Sequence, residues 1–243
     1  KLTPNGAETL LEAKRVHIGY SLLAIIRGNI LMDDMTVESP TITLVENDRG
    51  ISNLPVMAGK SAPAKPASAP GSPPHLNLKS IALKNATIRH TRTTLNGERV
   101  VTELANVNVS VSNVKNGGDG KLPFSAALAL DKSTPSPATA ANLQSLLTGD
   151  FTFSLLDNLK PSSIKGLASF AVGRATGSFT ELSALIARLD CDMTPMKVQK
   201  FALQFSKGST ALGEVRLSGP FDAEKTEGQL KLEVLAIDRQ VLN

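Results

Sequence analysis

Ile30-Leu31-Met32-Asp33-Asp34-Met35-Thr36-Val37 is the stretch on which the reading of this chain turns. Apolar residues stand at n, n+2, n+5 and n+7. The same pattern returns at Leu76, Leu78, Ile81, Leu83 and again at Met196, Val198, Phe201, Leu203. The first two copies stay in step further on, where Pro40 and Ile42 correspond to Ala86 and Ile88. On a strand, n and n+2 share a face, as do n+5 and n+7. The step between the pairs is odd, so an unbroken strand would set them on opposite faces, and a bulge or bend restores a common one. Asp33-Asp34, Lys79-Ser80 and Gln199-Lys200 occupy that position. A recurring unit of this kind predicts repetitive antiparallel β-structure, not a catalytic domain. Its apolar face must close, pack on something or hold an apolar ligand.

Composition agrees. A chain of 243 residues can bury a sizeable core in one or two domains. Aromatic residues make up only 4%, with no Trp and one Tyr, and the apolar surface comes from Leu, Ile, Val, Ala and Met. That suits a thin, extended sheet better than a deep core. The net charge is +4, with the basic residues scattered rather than clustered around aromatic platforms, which argues against nucleic acid as a partner. A weak attraction to anionic lipid headgroups remains open. The single cysteine, Cys191, leaves the redox compartment undetermined. No stretch of 18 apolar residues predicts a transmembrane helix within the chain. It opens at Lys1 rather than Met, so a processed or partial product with an upstream anchor is expected.

Along the chain, Leu10 to Tyr20 reads as a strand through Val16, Ile18 and Tyr20. Ser21 to Gly28 reads as a short apolar helix, either plugging the end of an open sheet or packed on a core. Ala58 to His75, AGKSAPAKPASAPGSPPH, has too little apolar surface to order itself and reads as an insertion between neighbouring strands. Asn96-Gly97 marks a hairpin. Val107, Val109 and Val111 alternate, as do Phe124, Ala126, Leu128 and Leu130. Thr139 to Leu147 has helix-forming composition, Pro161 to Lys165 reads as a turn, and Leu182 to Met193 reads as strand in preference to helix. The sum is about a dozen strands in a meander with one or two short helices.

Catalytic constellations are not found. His17, His75 and His90 lie in different segments without partners at ligand spacing. In Asp190-Cys191-Asp192, alternation sends the cysteine to the face opposite the two carboxylates, so the triplet is not a metal site. Ser162-Ser163-Ile164-Lys165 matches the S-x-x-K box of penicillin-binding serine enzymes, but Lys225-Thr226 is followed by Glu227 where its companion box needs Gly. Gly117-Gly118-Asp119-Gly120 lacks the strand-to-helix setting of a phosphate loop. The sequence therefore predicts no enzyme, no cofactor and no metal.

The segment from Leu11 to Leu54 resembles the amino-terminal region of the AsmA-like family of bacterial envelope proteins. The resemblance is carried by an ordered series: the strand Ala13 to Ile18, the apolar helix closed by Arg27-Gly28, the repeat strand, Glu38-Ser39-Pro40-Thr41-Ile42-Thr43-Leu44, and Gly50-Ile51-Ser52-Asn53-Leu54. Leu78 to Arg89 is similar to a second such unit, with Leu83-Lys84-Asn85-Ala86-Thr87-Ile88. Leu217 to Asp222 and Ile237-Asp238-Arg239 resemble later strand–turn elements. The Pro/Ala/Ser-rich insertion and the short length depart from the family. The resemblance implies a periplasmic protein held at the inner membrane by an upstream helix, with a curved sheet forming an apolar trough for phospholipid or other acyl lipid.

The expected fold is thus mainly β: a curved, elongated antiparallel sheet with one or two short helices, spanning on the order of 60 Å across a dozen strands. Its parts would be a first unit over 1–57, the insertion 58–75 and a continuation over 76–243. The candidate lipid-binding residues are the repeat positions Ile30, Met32, Met35, Val37, Leu76, Leu78, Ile81, Leu83, Met196, Val198, Phe201 and Leu203. The alternative is an assembly protein whose apolar face packs on an envelope partner or on itself.

Overall fold

The structure, a computed structural model, describes residues 10–20, 30–53, 76–135 and 138–236. Its strands are β1 (Leu11–Glu12), β2 (Arg15–Tyr20), β3 (Ile30–Glu38), β4 (Thr41–Glu46), β5 (Leu76–Thr93), β6 (Arg99–Lys115), β7 (Asp119–Pro135), β8 (Ala138–Leu155), β9 (Pro161–Thr176), β10 (Leu185–Thr194), β11 (Lys197–Lys207), β12 (Thr210–Asp222), β13 (Glu227–Gly228) and β14 (Lys231–Leu235). They form one open, curved sheet. The mainly-β, curved architecture expected from the repeat is therefore present.

From β5 to β12 the sheet is an antiparallel meander. The exception is its beginning: β3 and β4 both run parallel to β5, so the sheet is mixed rather than wholly antiparallel. The first two repeat copies lie side by side here, with Ile30 beside Leu76, Met32 beside Leu78, Met35 beside Ile81, Val37 beside Leu83 and Ile42 beside Ile88. Parallel neighbours need a long connection. Glu46 ends β4 level with Arg92, and β5 begins sixteen residues back at Leu76, so residues 47–75 must cover about 53 Å. The Pro/Ala/Ser-rich stretch belongs to this connection; like the helix expected at 21–28, it lies outside the described residues.

Several local expectations are corrected. Thr139 to Leu147 is not helical but part of β8, paired along its length with β7 and from Asn142 onward with β9. Neighbours on both sides override a helical composition. Pro161 to Lys165 opens β9, and the turn lies earlier, where Leu156 N–H donates to Lys160 O at 2.9 Å. Leu182 ends a 3-10 turn, and the strand starts at Leu185.

The strands bend at shared levels. Across β5 and β6 the register passes from Leu78 beside Val114 to Ser80 beside Ser112, and Asn113 between them has left-handed backbone at φ 59°. Exposure changes phase there: Asn77 and Lys79 are exposed before it, Lys84 after it. On the other side of β5, β3 steps past Asp33 opposite Gly19 and Tyr20. A second bend joins Ser39, Asn85 and Asn106, all left-handed at φ 48°, 52° and 51°. Asn108 holds it: its Oδ1 accepts from Asn85 N–H at 3.0 Å and its Nδ2 donates to Asn106 O at 2.7 Å. Asn tolerates this backbone better than most residues. In the third copy the shift falls at Gln199, between Asp192 beside Lys200 and Met193 beside Val198.

Among the described residues no second layer covers the sheet, and this shows in what is buried. Eleven apolar residues fall in the buried class, five of them alanines: Ala82, Ala86, Ala126, Ala141 and Ala202. Short side chains are sheltered by their neighbours, while longer ones stand out and stay half exposed. Large rings instead lie over glycines in adjacent strands. A Cβ on Gly149 would meet the Phe124 ring first, at 2.3 Å. One on Gly166 would meet Asp150 O at 2.4 Å and Phe151 Cα at 2.7 Å. A ring can swing away, whereas paired backbone cannot. Gly166→Ala is therefore expected to destabilise by about 1–3 kcal/mol and Gly149→Ala by less, read from urea unfolding midpoints at unchanged slope.

Candidate functional site

Cross-strand partners share a face, so the register identifies what each face carries. One transverse row reads Val16, Val37, Leu83, Val109, Phe124, Gly149, Ala168, Leu189, Leu203, Val215, Val234. It crosses eleven strands, about 48 Å, with only apolar residues and one glycine. The adjacent row on the same face carries Ile18, Met35, Ile81 and Val111, then Leu122, Phe151, Gly166, Cys191, Phe201, Leu217 and Leu232. Phe124 and Phe151 stack across these rows with ring centroids 5.9 Å apart.

The candidate residues fall into this pattern unequally. Val37, Leu83 and Leu203, the n+7 members of the three copies, lie in one row; Met35, Ile81 and Phe201, the n+5 members, lie in the next. Val198 is buried on the same face through its pairing with Met193. Ile30 and Met32 lie beside Leu76 and Leu78 at the end of β5. Met196 does not join them: it sits in the turn between β10 and β11, 63% exposed, its carbonyl accepting from Phe221 N–H at 3.0 Å. Copies one and two are thus adjacent, while copy three lies across the intervening strands β6 to β10. Val109, Phe124, Ala168 and Leu189 bridge that gap, and Val215 extends the row beyond it. Alternation marks each as facing with its neighbours, but only the register aligns them into a row.

The opposite face carries the charged side chains, with Leu146 and Leu167 exposed among them. Lys165 pairs with Asp192 at 3.3 Å, Lys200 with Asp190, and Arg216 with Glu214 through two contacts of 2.6 and 2.9 Å. The Arg216 hydrogen bonds hold the Glu214 carboxyl below the usual carboxylate range. A depression of about 710 Å³ opens on this face over β8 to β12. Its bases Arg188, Lys200 and Arg216 are balanced by Asp150, Asp190 and Glu214, so it offers no net charge to select an ion. The S-x-x-K match fares no better, because Lys165 is engaged with Asp192 on the face opposite Ile164.

Cys191 is on the apolar face and 2% exposed, while Asp190 and Asp192 point to the polar one. Burial pushes its thiol pKa up. Among the described residues no group of His, Cys, Asp and Glu is placed to hold a metal, and no helix is long and apolar enough to cross a membrane. No model of a known protein family matches the sequence, and no curated protein or solved structure matches it either. The apolar face is therefore the site candidate on its own geometry.

Two measurements check its description. Cys191 should resist a thiol reagent at pH 8 in the folded protein and react fully in denaturant, since both burial and a raised pKa suppress the thiolate. Ser145, 7% exposed on the apolar face beside Val172, has an Oγ with no hydrogen-bond partner. Ser145→Ala should raise stability by about 1 kcal/mol, seen as a higher unfolding midpoint.

Proposed function

We propose that this chain is a lipid-handling β-groove protein, AsmA-like, that binds or guides phospholipid acyl chains along its apolar face in the bacterial envelope. On this reading it works in the periplasm, tethered to the inner membrane by a helix outside this chain. The observation that carries the proposal is the unbroken apolar row across eleven strands, uncovered among the described residues. A continuous apolar surface of this kind marks an interaction or ligand-binding face. One leaflet of a bilayer is about 15 Å of hydrocarbon, so a 48 Å row is long enough for several acyl chains. Each methylene moved from water onto such a surface contributes roughly 0.8 kcal/mol, without any directional contact. The resemblance of Leu11 to Leu54 and Leu78 to Arg89 to AsmA-like units supports the same assignment.

An assembly role is the second reading, favoured by the exposed apolar residues at both sheet edges. Native mass spectrometry of gently extracted protein, with analysis of released lipid, separates the two. Co-purifying phospholipid at defined stoichiometry supports the groove; a lipid-free hetero-oligomer supports assembly. Phe201→Asp sets a charge in the apolar face and should remove most of the bound lipid. Gln204→Asp, on the opposite face of the same strand, should leave it unchanged. Equal lipid binding by both folded variants would refute the groove.

A further inference from the structure

We propose that copies of this chain join head to tail through their sheet edges, β14 of one copy against β2 of the next, so that the apolar face continues from copy to copy. The inference rests on the edges and not on what the face holds. Val16 and Ile18 on β2 are 56% and 47% exposed, and Leu232 and Val234 on β14 are 62% and 53% exposed. All four lie on the apolar face, through Val37 and Met35 at one end and Leu217 and Val215 at the other. Their partners inside the sheet are half-buried. Among the described residues the difference is the missing neighbour: an interior strand is flanked on both sides, β2 and β14 on one. An exposed edge of this kind is a template for another strand.

Parity and charge select the pairing. To continue the face, Leu232 and Val234 must sit opposite Ile18 and Val16. The antiparallel alignment does this with Glu233 opposite His17, Lys231 opposite Gly19 and Leu235 opposite Arg15, so no like charges meet. The parallel alignment sets Lys231 against Arg15. Pairing β14 with another β14 would leave Val16 and Ile18 exposed on every copy, whereas the head-to-tail contact covers both edges at once. Such a heterologous contact does not close on two copies and builds longer assemblies. Five paired residues bury less than the roughly 800 Å² per partner of a standard interface, so the association is weak and concentration-dependent.

Disulfide trapping tests this in a Cys191→Ala background with Ile18→Cys and Leu232→Cys, both at exposed positions. Directly opposed residues of an antiparallel pair lie within reach of a disulfide. Under mild oxidation at high protein concentration, a mixture of the two single variants should give a covalent dimer. Each variant alone should give none, and the double variant should give a ladder of oligomers. Dimers from Leu232→Cys or Ile18→Cys alone would show a symmetric contact and overturn the proposal. So would a mixture that fails to cross-link while both thiols label freely, or a thiol at either position that cannot be labelled because its edge is already covered.

Discussion

Side chains on a β-strand alternate between two faces, and a slip of one residue exchanges every one of them. This parity is the constraint on which the rest of the molecule depends. Strands as long as β5, at 18 residues, cannot stay straight in a curved sheet, and each bend that inserts or re-aims a residue threatens the alternation. The bends are taken at common levels by adjacent strands. Ser39, Asn85 and Asn106 turn together, and the Asn108 side chain ties two of them. At Gln199 one extra residue keeps Val198 and Phe201 on the same side. The polar residues that interrupt the apolar pattern are thus what keep the apolar face continuous.

A single uncovered layer follows its own packing rules. Among the described residues no second layer is present and shelter comes from lateral neighbours, so alanines are buried and Phe rings lie across glycines such as Gly149 and Gly166. The polar face is laced with ion pairs such as Lys165–Asp192 and Arg216–Glu214. Exposed pairs of this kind add little stability. They do keep one face in water while the other is apolar. That asymmetry suits non-directional recognition: a hydrocarbon chain needs area, not a set of placed hydrogen bonds.

The legible parts of this architecture were those with local causes. Val107, Val109 and Val111, and Phe124 to Leu130, alternate in the sequence and share the apolar face in the sheet. Asn96-Gly97 turns the chain between β5 and β6, with Gly97 N–H donating to Thr94 O. The opposite facing of Cys191 and its flanking carboxylates follows from parity alone. Thr139 to Leu147 was misleading because composition is a weak preference, and two flanking strands outweigh it. Met196 fits the repeat but ends in a turn, because the β10–β11 reversal falls one residue before the strand begins.

By itself, then, the sequence determined the strand character, the single apolar face and the places where parity must be corrected, since all three depend on residues within a few positions of one another. It did not determine that copies one and two lie parallel and in register, or that Val37, Leu83 and Leu203 share one row. Those facts depend on which strands become neighbours and on how far residues 47–75 carry the chain back before β5 begins. Register between strands distant in sequence is a property of the paired backbone as a whole, so only the assembled sheet decides it.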